Sequence, residues 1–288
     1  MEITGKTRLT GLIGSPVAHS ISPQMHNEAF RQLGLDYVYL AFDLGGQDLG
    51  TAIRGLKSIG IRGFNITMPY KVQMLEFMDE LTPAARIAGA CNTVIVEDGK
   101  MIGHTTDGIG FLRSVSDAGH DICGQKMTIL GAGGAAAAII AQAALDGVSS
   151  IDIFRRNRAE SFAETVHFAD SVQTQTGCPV HVYDIADLTQ MKSSLSDSAI
   201  LVNATNIGMA PDLDGCPIPD TKLLHPELIV GDIIYNPRKT RLYQMAESIG
   251  CPVFNGMYML LFQGAASFEC WTGQEMPVEI IRQKYFSE

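Results

Sequence analysis

The stretch Met127-Thr-Ile-Leu-Gly-Ala-Gly-Gly-Ala-Ala136 constrains the fold of this chain more than any other. Met127 to Leu130 is apolar or β-branched throughout, the pattern of a parallel strand covered on both faces. Gly131, Gly133 and Ala136 follow at the spacing G-x-G-x-x-A. Gly131 permits the tight turn, Gly133 leaves no Cβ between backbone and ligand, and Ala136 lets the next helix lie close to the strand. The predicted helix, about Ala135 to Leu145, aims its unbonded N–H groups and positive dipole end at a pyrophosphate. A strand before the glycines and a helix after them give the pattern its meaning, which is dinucleotide binding rather than a plain glycine-rich turn.

The same rhythm continues beyond it. Strands at Ser150–Phe154, Val180–Tyr183, Ile200–Asn203 and Leu228–Ile234 alternate with helices, which predicts a doubly wound parallel sheet. Upstream, Arg8–Gly14, Tyr37–Leu44 and Gly63–Met68 read as strands. A helix opens at Ser20-Ile-Ser-Pro23, with Ser22 as N-cap and Pro23 at the first helical position, and closes at Gly34. Asp48–Gly60 is an amphipathic helix, and short helices are expected around Val72–Glu80 and Pro83–Gly89. Asn92–His104 reads as a hairpin turning at Glu97-Asp98-Gly99-Lys100. Asp107-Gly108 marks a hinge, and Ile109–Ala118 is the connecting helix. Two closing helices, Met257–Trp271 and Pro277–Tyr285, have no strand to cross over to and are expected to pack back on the first domain. The fold class is α/β. An N-terminal α/β substrate domain (1–107) precedes a Rossmann-type dinucleotide domain (108–255), and C-terminal helices (256–288) complete the first domain.

A chain of 288 residues, 46% hydrophobic and 18% charged, can bury a sizeable core. Its net charge of −10 argues against nucleic acid or an anionic membrane as partner, so an anionic substrate needs a local site to attract it. Cys91, Cys123, Cys178, Cys216, Cys251 and Cys270 show no CxxC and no metal-ligand spacing, which suits free thiols in a reducing compartment. The apolar run Gly131–Leu145 is shorter than the roughly 20 residues a bilayer requires. Met-Glu-Ile-Thr-Gly-Lys at the N-terminus lacks a signal-peptide pattern. A soluble cytoplasmic protein with no metal site is expected.

The second strand of the dinucleotide domain ends in Arg155-Arg156-Asn157-Arg158, where an NAD site usually has a carboxylate for the ribose 2′-hydroxyl. Asp152 lies mid-strand and faces the wrong way. Guanidinium groups fit a 2′-phosphate, so NADP is favoured over NAD; a solvated basic loop is the bland alternative. The loop Ile207–Pro219 is rich in Pro, Gly and Asp and could cover the cofactor. In the first domain, Lys71 and Asp107 end elements that face the junction. A lysine beside a carboxylate can pass a proton to or from a hydroxyl or carbonyl oxygen, although a surface ion pair is the commoner fate of such residues. Ser20 and Ser22 at a helix N-terminus could bond a carboxylate. His19, His26 and His104 read as structural.

These motifs together resemble the shikimate dehydrogenase family, close to its quinate/shikimate dehydrogenase branch, nearly end to end. The resemblance rests on His19-Ser-Ile-Ser-Pro23, Asn65-Ile-Thr-Met-Pro-Tyr-Lys71, Gly89-Ala-Cys-Asn-Thr93, Thr106-Asp-Gly108 and Gly131-Ala-Gly-Gly-Ala-Ala136. It continues through Asn203-Ala-Thr-Asn-Ile-Gly-Met209, Tyr235-Asn-Pro237, Met259-Leu-Leu-Phe-Gln263 and Trp271-Thr-Gly-Gln-Glu-Met-Pro277. It implies NADPH-dependent reduction of 3-dehydroshikimate to shikimate in aromatic amino acid biosynthesis; a quinate-oxidising enzyme using NAD is the alternative. It also implies that Lys71 and Asp107 are catalytic, and that Ser20, Ser22 and Tyr235 hold the substrate carboxylate. Thr67, Asn92 and Gln263 would bind its hydroxyls. The cofactor would lie on Ala132, Gly133, Gly134 and Ala135, with Arg155, Arg156, Asn157 and Arg158 at the adenosine end. Thr205, Asn206, Ile233 and Gly256 would line the path to the nicotinamide. The expected partners are the small-molecule substrate and, for a homodimer, a second copy of the chain. Three positions depart from the family pattern: Thr105 in place of Asn, Arg155 in place of Asn, and Tyr70 in place of Phe.

Overall fold

The computed structural model describes residues 2–287. The chain divides into two compact units, one running from the N-terminus to Gly110 and resuming at Leu261, the other spanning Phe111–Leu260. In the first unit, β1 (Arg8–Gly14), α1 (Ser22–Gln32), β2 (Tyr37–Asp43), α2 (Leu49–Ser58) and β3 (Gly63–Ile66) form the βαβαβ run that the pattern predicts. Then come β4 (Glu80–Leu81), α3 (Pro83–Ala88), the hairpin β5 (Thr93–Glu97) and β6 (Lys100–His104), and the start of α4 (Asp107–Asp117). The sheet order is β2-β1-β3-β5-β6-β4. β1 pairs parallel with β2 and β3, and β5 pairs antiparallel with β3 and β6. The two-residue β4 is too short to leave a periodic signal. Helix α1 corrects one expectation: Ser22 lies inside it, Ile21 is the N-cap, and Ser20 Oγ accepts the Ser22 N–H at 3.3 Å. The shorter reach from two residues upstream is the geometry of a serine turn.

The second unit holds β7 (Lys126–Leu130), α5 (Gly134–Leu145), β8 (Ser150–Arg155), α6 (Ala159–Thr176), β9 (Val180–Asp184), α7 (Leu188–Ser196) and β10 (Ile200–Asn203). It ends with β11 (Ile229–Asp232), α8 (Arg241–Ser248) and β12 (Val253–Asn255). The order β12-β11-β10-β7-β8-β9 is parallel throughout, and it reverses direction beside β7, the switch point where such sheets take nucleotides. β10 and β11 are buried along their whole length, and β7 from Met127 onward, so that Thr128, Asn203 and Asp232 are buried polar positions in otherwise mostly apolar strands. β12 is an extra strand that three residues could not announce. Asp152 is buried mid-strand and paired with Lys126 at 2.9 Å.

Helix α9 (Met257–Thr272) and α10 (Val278–Tyr285) follow, and from Leu261 on they belong to the first unit. Two glycines allow α9 to seat there. A Cβ on Gly264 would meet Met25 Cε at 2.1 Å, and one on Gly63 would meet the Trp271 ring at 2.3 Å. Trp271 Nε1 donates to the Val94 carbonyl at 2.9 Å. Lys284 of α10 donates to Glu28 of α1, whose carboxyl Arg31, Lys284 and Gln32 hold down at about 2. His26 is fully buried and stacks on Tyr39 at 4.4 Å, and neither ring nitrogen has a partner among the described residues. Burial pulls its pKa from 6.5 down to about 3. Below pH 6.5 the unfolded chain therefore takes up a proton that the folded chain refuses, and the stability His26 lends is lost as pH falls toward 3. His26→Leu is expected to flatten the loss of unfolding free energy between about pH 5.5 and pH 4 by about 1.4 kcal/mol per pH unit. Urea unfolding at stepped pH measures it; an unchanged slope would mean that the ring protonates within the fold.

Candidate active site

Lys71 closes the loop that follows β3, and that loop is tied down on both sides. Thr67 N–H donates to the Ile13 carbonyl at 2.9 Å, Ser15 N–H to the Met68 carbonyl at 3.1 Å, and Cys91 N–H to the Lys71 carbonyl at 2.9 Å. Tyr70 is buried in the core beside it. The Lys71 side chain stays 28% exposed and that of Asp107, at the head of α4, 12%. Lys71 Nζ donates to Asp107 Oδ2 at 2.6 Å. The other carboxylate oxygen, Oδ1, accepts from Asn92 Nδ2 at 2.8 Å. Asn92 cannot turn over, because its Oδ1 accepts the Thr106 backbone N–H at 2.7 Å. Cys91 is buried and its thiol is pushed up to about 12, so it presents no thiolate to the lysine.

Beneath this pair lies a buried polar floor that the sequence reading missed. Thr93, Thr106 and Ser267 place their hydroxyls within 2.8, 3.1 and 3.2 Å of one another. Asn65 Nδ2 donates to Thr93 Oγ1 and Ser267 Oγ, each at 2.9 Å, while Asn65 Oδ1 accepts the Tyr39 hydroxyl at 2.8 Å. Burial raises the pKa of the same tyrosine. Ser267 Oγ donates to the Gln263 carbonyl one turn earlier on α9. Hydrogen bonds thus run continuously from Tyr39 to Lys71 and touch the Gln263 backbone. A hint was available: Asn65 and Thr106 stand inside the motifs, and Ser267 is four residues from Gln263 on one helix face. Thr67 is half-buried, and Gly14 leaves it room, since a Cβ there would meet Thr67 Cγ2 at 2.2 Å.

In the second unit, a cavity of about 510 Å³ is lined by Gly131–Gly133, Arg155, Arg156, Arg158 and the turn from Ala204 to Ile207. Gly131 has φ +100°, and a Cβ on it would meet the Ala204 carbonyl oxygen at 2.9 Å. Nothing stands within 4 Å of a Cβ on Gly133 or Gly134, and no side chain caps α5. Open glycines, an uncapped helix end and two exposed arginines suit the adenosine end of a phosphorylated dinucleotide. Thr205 and Asn206 line the cavity, with Thr205 Oγ1 donating to Asn203 Oδ1 at 2.7 Å. Asn203 in turn donates to Asp232, a buried carboxylate that also accepts Thr240 Oγ1 at 2.6 Å and whose pKa burial raises. Gly134 and Ala135 open α5, and Asn157 is exposed between the arginines. Ile233 and Gly256 are outside the cavity lining but adjoin each other: a Cβ on Gly256 would meet the Ile233 carbonyl oxygen at 1.9 Å. Tyr235 is exposed just beyond β11. No helix among the described residues is long and apolar enough to cross a membrane.

One unit built on a parallel sheet with a cavity beside its glycine loop, and another carrying a lysine–carboxylate pair, define a dinucleotide-dependent oxidoreductase of the α/β class. Residues 12–94 match the shikimate dehydrogenase substrate binding domain, and residues 256–284 match the shikimate 5′-dehydrogenase C-terminal domain. Shikimate dehydrogenase (NADP(+)) of Listeria innocua is 48% identical over 99% of this chain and 98% of its own. The crystal structure of shikimate 5-dehydrogenase from Listeria monocytogenes, in complex with shikimate and NAD, superposes with a TM-score of 0.94 at 48% identity, covering 98% of each chain. Quinate dehydrogenase from Corynebacterium glutamicum, in complex with NAD, gives 0.87 at 29% identity over 98% of this chain and 99% of that one. The chain belongs to the shikimate dehydrogenase family.

Gly131→Ala forces a side chain into left-handed backbone against a carbonyl, and is expected to cost about 1–3 kcal/mol of stability. Chemical unfolding checks it; an unchanged midpoint would show that the turn can relax.

Proposed function

We propose that this chain interconverts shikimate and 3-dehydroshikimate with NADP as the hydride-accepting cofactor. The observation that carries the reading is the Lys71–Asp107 pair, with Asp107 also held by the locked Asn92 amide. In reduction, Lys71 Nζ donates a proton to the oxygen of the C3 carbonyl as it becomes a hydroxyl; in oxidation it accepts that proton. Asp107 holds the lysine in place and bonds the reacting hydroxyl. The bound nicotinamide supplies the hydride chemistry, and Ala132–Ala135, Arg156 and Arg158 would hold its nucleotide. Ser20 and Ser22 would bind the substrate carboxylate with Tyr235, which answers the need for local attraction in a chain of net charge −10. Thr67, Asn92 and Gln263 would face the ring hydroxyls. Such a site rejects analogues that leave its buried polar groups unpaired. The six cysteines are free, which supports action in a reducing compartment such as the cytoplasm.

The family resemblance to a quinate dehydrogenase, and the NAD in the Listeria monocytogenes complex, favour one second reading: quinate oxidation with NAD. Initial rates for shikimate and quinate, each with NADP and with NAD, separate the two. The highest kcat/KM is expected for shikimate with NADP, by about tenfold or more over quinate. Comparable rates with quinate, or a preference for NAD, would establish the second reading in its place.

A further inference from the structure

Three arginines crowd the turn after β8, and their surroundings differ. Arg155 is the last residue of that strand, and its carbonyl accepts the Ile185 N–H at 2.9 Å. Its side chain turns back toward α6. Nη1 donates to the Ser161 carbonyl at 2.5 Å and to the Thr165 hydroxyl, while Thr165 Oγ1 itself donates to the Ser161 carbonyl at 3.0 Å. Nε of Arg155 is buried. All three arginines line the cavity, but only Arg156 and Arg158 are exposed, and those two form no ion pair among the described residues. The stretch between β8 and α6 is thus a three-residue bridge whose two ends the Arg155 guanidinium clasps together.

A guanidinium binds phosphate well by presenting a fork of two N–H groups. On Arg155, Nη1 is occupied and Nε is covered by protein. Swinging it toward a ligand would strip the Thr165 hydroxyl and the Ser161 carbonyl of a charged donor, an exchange with no clear gain. We propose that Arg155 is a positioning residue that fixes this turn without touching a 2′-phosphate, and that Arg156 and Arg158 carry the discrimination for NADP over NAD. The proposal rests on the NADP reading above.

Calorimetric titration of NADP+ and NAD+ into the intact protein, with thermal melting of the nucleotide-free form, tests it. Arg156→Ala and Arg158→Ala should each weaken NADP+ by about tenfold, leave NAD+ within about twofold and leave the melting temperature unchanged. Arg155→Ala should weaken both nucleotides by a common factor and lower the melting temperature. Thr165→Val, which removes an acceptor of Arg155 while leaving the arginine in place, should do the same to a smaller degree and decides the matter if Arg155→Ala does not fold. Selective loss of NADP+ in Arg155→Ala with unchanged melting would overturn the proposal, as would a Thr165→Val protein that melts and binds like the wild type. Equal affinity of the wild type for the two nucleotides would overturn the NADP reading itself, and the proposal with it; that failure is read from the wild type alone.

Discussion

The orientation of one buried amide governs the first unit. Asn92 Oδ1 takes the Thr106 backbone N–H, so its Nδ2 must point at Asp107. With that amide fixed, one carboxylate oxygen is held by Asn92 and the other by Lys71. Reversing the amide would set a carbonyl oxygen against a carboxylate and a donor against a donor, which costs far more than the bonds themselves return. The hydroxyls of Thr93, Thr106 and Ser267, with Asn65 and Tyr39 beyond them, supply partners to every polar atom near this amide. Buried networks of this kind are favourable only when complete, and a complete one admits a single arrangement. The lysine is therefore held from the folded core, while its end remains accessible.

The second unit follows the same logic with a different device. Asp232 is a buried carboxylate surrounded by neutral donors: Thr240, the Ile234 N–H and Asn203. Through Asn203 it fixes Thr205, and so the turn that lines the cavity opposite the glycine loop. Gly131 closes the other side, where the Ala204 carbonyl leaves no space for a side chain. Polar anchors under rigid strands thus shape both candidate sites, and the groups left exposed, Lys71 and the two arginines, are those with charge to offer a ligand.

Much of this was legible in the residues. The strand–glycine–helix run around Gly131 announced the parallel sheet, because a doubly covered strand has to be apolar along its length. Asp152 is legible as a mid-strand residue, and it is buried in β8 and pairs with Lys126. Other features left no local trace. β12 and β4 are too short for a period to appear. Ser22 reads as a helix cap, yet Ser20 takes the bond, because cap geometry turns on one residue of register. The polar floor joins residues as far apart as Thr93 and Ser267, and no spacing rule reaches across that distance. Arg155 shows the limit most plainly: four residues of basic sequence look alike until one side chain is seen bound to α6.

On the function proposed above, Lys71 serves the chemistry and not merely the binding of substrate. The most direct measurement is steady-state kinetics of shikimate oxidation by Lys71→Met, alongside calorimetric titration of shikimate into the same variant. In Lys71→Met, kcat is expected to fall by about 10²–10⁴-fold while the dissociation constant for shikimate changes only a few-fold. A variant that keeps kcat and loses shikimate affinity would contradict it, and would make Lys71 a binding residue with the proton path elsewhere.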